Sequence, residues 1–181
     1  MSESLIPIIC LHDIPAQVLT SIITKAYAQA IDINSPPTLL LIENTGDALC
    51  RYTHDDATYP PVDSSYKSPF LGWEVNEVVR FLREYATGTV VDEFVFLIGD
   101  WRTLEDESLL LVKRLGEGEL VESVRVAAEF VNTKAVAVAV AVTDVWELRG
   151  LVDGDGVFRG GRGNGENSLL RKGRKAPRKQ L

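Results

Sequence analysis

The chain holds only two cysteines and two histidines, and they fall in two close pairs, Cys10-Leu11-His12 and Cys50-x-x-x-His54. On a strand, residues i and i+2 face the same way, and on a helix i and i+4 share a face. Cys10, His12, Cys50 and His54 therefore offer the thiolate and imidazole donors of a four-ligand zinc site. Zinc fingers and ribbons use C-x2-C pairs, however, and this chain has none. The spacing equally describes two core thiols and two surface histidines, and on that ground no metal and no other cofactor is expected.

Carboxylates add a second kind of chemistry. His54-Asp55-Asp56, with Asp63 nearby, offers oxygens for a divalent cation, or His54 or Asp55 as a general base beside Cys50 as nucleophile. The competing reading is that aspartates in a Pro- and Ser-containing loop bond their own backbone and make turns. Asp100, Trp101 and Arg102 follow the strand FVFLIG at 94–99, and ligands of open α/β sheets gather beyond the carboxyl ends of parallel strands. Asp100 and Arg102 are thus the best-placed catalytic candidates, against the alternative of an Asp-Arg pair that stabilises a turn. Asp153-Gly154-Asp155-Gly156 begins like a calcium loop, but Asn164 stands where the twelfth-position glutamate belongs. The glycines at 160–165 are followed by no GK[ST] and read as a linker.

Charge is split along the chain. Residues 166–181 carry six Lys/Arg against one acid, and the 165 residues before them carry thirteen against twenty-five, so a body near −12 precedes a tail near +5. Arg171, Lys172, Arg174, Lys175, Arg178 and Lys179 have the composition of a nuclear-import signal or a phosphate-contacting arm. Without interleaved aromatics such an arm grips phosphates and cannot stack on bases, so nucleic-acid binding through it would be sequence-independent. An inert solubilising end is the alternative.

The elements that must position these groups read as one mixed α/β domain over residues 1–161, then a flexible, disordered basic tail over 162–181. LIPIICL at 5–11 is a strand. The stripe Ile14, Val18, Leu19, Ile22, Ile23, Ala26, Tyr27 and Ala30 is a helix, with Asp13 as its cap and Pro15 in its first turn. TLLLIEN from Thr38 completes a β-α-β unit, which favours parallel pairing. Residues 44–72, with Pro60, Pro61 and Pro69, form a long loop of the kind that often binds or covers a ligand, with a helical turn near 46–51. A helix from Trp73, the strand at 94–99 and a strand at 109–115 follow, then later antiparallel pairing. Residues 119–131 fit either period and are read as strand, as is the strictly alternating AVAVAVAV at 135–142. Asp144 and Glu147 predict a capping box on a short helix. Five or six strands result.

FVFLIGDWRTL, the LLLV after it, ESVRVAAEF and the ending VDGDGVFRGG resemble the domain of unknown function 6924 family over roughly residues 38–161. In that family a strand ending in D-R-x-T-L precedes an apolar strand, and the domain closes on D-G-V-F-R-G-F. The closing motif, at 155–160 here, is the specific part. Gly161 stands in place of the final aromatic, and AVAVAVAV in place of a more polar, Asn-containing stretch. The resemblance implies a boundary near 161 and carries no activity.

Two cysteines are too few for a disulfide scaffold, the start lacks a signal-peptide pattern, and no apolar run reaches the length of a membrane span. The expectation is an intracellular protein, cytoplasmic or nuclear, with no membrane association. The leading functional reading is a non-catalytic protein-interaction module with a protein partner and a basic targeting tail. The first alternative is a small hydrolase-like or metal-dependent enzyme using the 44–72 loop and Asp100/Arg102. The second is nucleic-acid binding through the tail.

Overall fold

Continuous apolar runs, buried on both faces, place a six-stranded sheet at the centre of the molecule. The computed structural model describes residues 4–161, so the basic tail and its contacts from Arg171 to Lys179 lie outside the described residues. Ile6–Cys10 (β1) is buried throughout, and Ala16–Asp32 (α1) follows, burying Leu19, Ile22, Ile23, Ala26, Tyr27 and Ala30. Leu39–Leu41 (β2) pairs parallel with β1, completing the expected β-α-β unit. Val95–Gly99 (β3) pairs parallel with the other side of β1. Ser108–Arg114 (β4) and Val121–Ala127 (β5) continue antiparallel. Val157–Phe158 (β6), from the closing motif, pairs parallel with β5 and gives the order β2-β1-β3-β4-β5-β6.

Side chains of β1 alternate between two cores. Ile6, Ile8 and Cys10 join α1 and two further helices, Val131–Ala139 (α4) and Val145–Arg149 (α5). Leu5, Ile9 and Leu11 meet Val75–Tyr85 (α2) and Phe70 of the 44–72 loop on the opposite face. A short helix, Thr103–Asp106 (α3), connects β3 to β4. Capping boxes start α2, through Glu74 and Glu77, and α5, through the expected Asp144 and Glu147. Among the described residues no helix is long and apolar enough to cross a membrane.

Three readings need correction. The N-cap of α1 is Pro15, with no side-chain bond, and Asp13 stands outside the helix. Residues before a proline avoid helical backbone, and Ile14 is drawn into the core at 3% exposure, so the helix starts later than the Asp13 signal suggests. The strand at 119–131 ends at Ala127, where a 3-10 turn, Ala128–Phe130, leads into α4. AVAVAVAV is not a strand. Its first part is the end of α4, which buries Val131, Ala135 and Val138 at i, i+4 and i+7. Because both residue types in the repeat are apolar, a period of two hides a period of 3.6, and alanine's helix preference does the rest. Asn132, fully buried on α4, accepts from the Thr38 amide and hydroxyl at 3.1 Å each and donates to the Pro36 carbonyl at 3.0 Å, which anchors the helix to the entry of β2.

The end of α4 yields a stability prediction. The Val142 amide donates to the Ala137 carbonyl at 2.8 Å and the Ala141 amide to the Val138 carbonyl at 3.1 Å, with Ala141 at φ 58°. This is the paired-bond helix stop that glycine favours, and alanine there bears the left-handed strain. Ala141→Gly should therefore raise the unfolding free energy by about 1 kcal/mol. A lower midpoint in urea would contradict this reading of the turn.

Candidate functional site

The carboxyl ends of the adjacent parallel strands β1 and β3 form the edge at which an open α/β sheet presents its ligand crevice. Here the crevice is filled by the chain itself. A Cβ on Gly99 would lie 2.6 Å from Ile14 Cδ1 and 3.1 Å from Cys10 Sγ. The Leu11 amide donates to the Gly99 carbonyl at 2.8 Å, and the Gly72 amide to the Leu11 carbonyl at 3.0 Å. Ser68 Oγ donates to the Cys10 carbonyl, and Phe70 is wholly buried behind it. The 44–72 loop is held elsewhere too: the Thr58 amide donates to the Leu39 carbonyl at 2.7 Å, covering the open edge of β2, and the Val62 amide to Thr20 Oγ1 at 2.9 Å.

Asp100 and Arg102 project from this edge, but each is bonded inward and to a different partner. Asp100 Oδ2 accepts from Arg125 Nη2, while Oδ1 accepts from the amides of Arg102 and Thr103 at 3.1 and 3.2 Å. Arg125 also donates to the Ser108 carbonyl and hydroxyl at 3.3 Å. Arg102 donates from Nε to Asp106 at 3.0 Å and from Nη2 to the Asp155 carbonyl at 2.8 Å. Burial pushes the Asp106 carboxyl up, yet the bonds from Ser108 and Arg102 outweigh it and leave it below its usual range. Arg159 grips Asp155 with two nitrogens, at 3.0 and 2.8 Å, and this pairing, helped by the Val157 amide, holds the Asp155 carboxyl down to about 2. Trp101 is exposed. The segment after β3 and the closing motif are thus joined through Arg102 and Asp155.

The closing motif itself reads as a locking device residue by residue. Asp155 accepts from the Val157 amide at 3.1 Å, Gly156 turns at φ 82°, and Val157 and Phe158 are the buried pair that make β6. Gly160, at φ 87°, lies so close to Phe130 that a Cβ would meet the ring at 2.7 Å. Neither Arg125 nor Asp106 was singled out from the sequence: an arginine within VESVRVA carries no signal until β4 and β5 bring it to Asp100, whereas the four-residue spacing of Arg102 and Asp106 was the signal available for that pair.

The cysteine and histidine pairs do not converge. β1 ends at Cys10, so strand alternation does not extend to His12: Cys10 is buried while His12 is exposed. Burial pushes the Cys10 thiol up to about 12, which keeps it protonated at neutral pH. The 3-10 turn Gly46–Arg51 carries Cys50, whose Sγ donates to the Asp47 carbonyl at 2.8 Å, and it stops before His54, so the two share no helical face. Among the described residues no three His, Cys, Asp or Glu side chains gather as metal ligands. Asp55 is exposed; Asp56 accepts from the Thr53 amide and hydroxyl, and Asp63 from those of Ser65, as turn formers do. Two of the clefts among the described residues are open to solvent. One, of about 270 Å³, is lined by Glu43, Asn44, Asp63, Ser65, Tyr66 and Lys67. The other, of about 350 Å³, lies along α2. Neither is lined by Asp100 or Arg102.

Apolar side chains crowd one exposed segment. Val140, Val142, Trp146 and Leu151 are 54, 78, 63 and 51% exposed, the first two in the turn that ends α4, Trp146 on α5 and Leu151 just past its end. Lys113 of β4 reaches Asp144 at 3.1 Å, and so draws the tip of the β4–β5 hairpin, with exposed Leu115 and Leu120, toward this segment.

No curated protein and no solved structure matches the chain. A family model does, over residues 44–161, and it covers both the segment after β3 and the closing motif. The chain belongs to the family described as Domain of unknown function (DUF6924).

Proposed function

We propose that the protein is a non-catalytic interaction module that binds a protein partner through the exposed apolar surface of α4 and α5, with the basic tail serving nuclear or nucleic-acid targeting. The observation that carries this reading is the cluster of Val140, Val142, Trp146 and Leu151, large apolar side chains left open to solvent within twelve residues. Exposed apolar patches on a folded domain mark contact surfaces, and tryptophan is the side chain most often central to them. The commitment of Asp100, Arg102 and Arg125 to internal bonds supports it further, since a catalytic pair needs free oxygens or nitrogens facing a cavity.

The test compares the full chain with Val142→Glu/Trp146→Glu as bait. These positions are exposed, so the melting temperature should stay within a degree or two while at least one specific prey is lost. An identical set of preys from both baits would remove the α4–α5 surface from the account.

A further inference from the structure

On the face of the sheet opposite α4 and α5, helix α2 presents a groove lined by Trp73, Glu77, Arg80, Phe81, Glu84 and Tyr85. We infer that this groove binds the cationic side chains of a basic peptide, a second recognition site distinct from the α4–α5 surface. Its rings are set in a corner. Phe81 stands 6.0 Å from Trp73 with planes at 83°, and 5.4 Å from Tyr85 at 41°. Behind them Phe70, fully buried, packs edge-on against Trp73 and Phe81 at 5.0 Å each. Rings fixed from behind lose little freedom when a ligand arrives, and an aromatic face attracts a cation through its quadrupole.

The charges in the groove select the sign of the ligand. Glu77 and Glu84 lie seven residues apart, two turns along one face of α2. One oxygen of Glu77 accepts from the Glu74 amide at 2.7 Å, leaving the other open, and the Glu84 carboxylate holds the neighbouring Tyr85 phenol above its usual range. Arg80, the one cation of the lining, stands on the same helix face with Nε on the Asn76 carbonyl at 3.3 Å and 3.8 Å from Glu119, so the lining keeps two carboxylates against one guanidinium that already has acceptors. An apolar ligand would strip water from two carboxylates without replacing it, and an anion would be repelled. A lysine or arginine side chain satisfies both requirements, with its stem on the rings and its head on the carboxylates. The groove is open along its length, so a free small cation would be covered on one side only, whereas a peptide places successive cations on Glu77 and Glu84 together.

Fluorescence anisotropy of a labelled peptide RKGRKAPRK, the sequence of residues 171–179, tests the proposal. The peptide is titrated at low salt with the full chain in which Arg171, Lys172, Arg174, Lys175, Arg178 and Lys179 are replaced by Ser so that its own copy does not compete, and absence of binding overturns the proposal. Glu77→Gln/Glu84→Gln keeps the capping geometry, since glutamine serves at that position as glutamate does. It should weaken binding about tenfold or more, and Trp73→Leu by a similar factor. The charge-matched control Asp32→Asn/Glu105→Gln, at exposed positions away from the groove, should change affinity by less than about twofold. Equal loss in the control would reduce the effect to general attraction by an acidic body and overturn the proposal, as would wild-type affinity in Glu77→Gln/Glu84→Gln. Binding of free arginine amide as tight as the peptide would assign the groove to small cations and also overturn it. Because the groove and the α4–α5 surface lie on opposite faces, Val142→Glu/Trp146→Glu should leave this titration unchanged, and either site can fail alone.

Discussion

Phe158→Ala should lower the unfolding free energy by about 3–5 kcal/mol, the range for removing a large aromatic from a packed core. Phe158 is 2% exposed, meets Phe130 edge to face at 5.7 Å and 86°, and lies under Lys134 Nζ at 5.3 Å. It also belongs to the core formed by β1, α1, α4 and α5, although β6 has only two residues. The large effect from so short a strand follows because the loss falls on ring packing, and the ladder bonds of β6 to β5 remain. Urea unfolding monitored by tryptophan fluorescence measures it. A change below about 1 kcal/mol would show that the closing motif is not part of the core.

Arg125→Met should cost about 2–3 kcal/mol. Breaking a buried ion pair from one side costs about 3–5 kcal/mol because the other charge is left without its partner. The Asp100 side chain keeps 19% of its exposure, so water relieves part of that penalty. Arg125 also leaves the Ser108 carbonyl and hydroxyl without its bonds, which adds to the loss.

Most of the fold was legible because the relevant residues report local periods. The β1-α1-β2 unit, β3, β4, the turn at 46–51, α2 and the Asp144/Glu147 capping box all follow from apolar spacing or cap chemistry within a dozen residues. AVAVAVAV failed because alanine and valine are both apolar and erase the contrast on which a period depends. β6 was missed because two residues, Val157 and Phe158, are too few to show any alternation. The family match begins at residue 44, yet β1 lies between β2 and β3, so the segment before 44 forms part of the same sheet.

The candidate site was less legible, and for a different reason. Asp100 and Arg102 stood out as residues after a strong strand, but their partners Arg125, Asp106 and Asp155 come from β5, α3 and the turn before β6. Asp106 reaches Arg102 through local i,i+4 spacing, whereas the sheet register, with Leu110 opposite Arg125 and Arg125 opposite Val157, brings Arg125 and Asp155 near. The pairing of Cys10 with His12 assumed a strand that extends past Cys10, and that of Cys50 with His54 a helix that extends past Arg51; both elements stop short.

The central claim, that Asp100 serves the fold through its ion pair with Arg125, is tested most directly by a double-mutant cycle on these two residues. Urea unfolding of the wild type, Asp100→Asn, Arg125→Met and the double variant gives their coupling energy. The account predicts a coupling of about 1.5 kcal/mol or more, with the double variant recovering part of the loss in Arg125→Met because no buried charge is then left unpaired. Strictly additive changes, with Asp100→Asn as stable as the wild type, would contradict it.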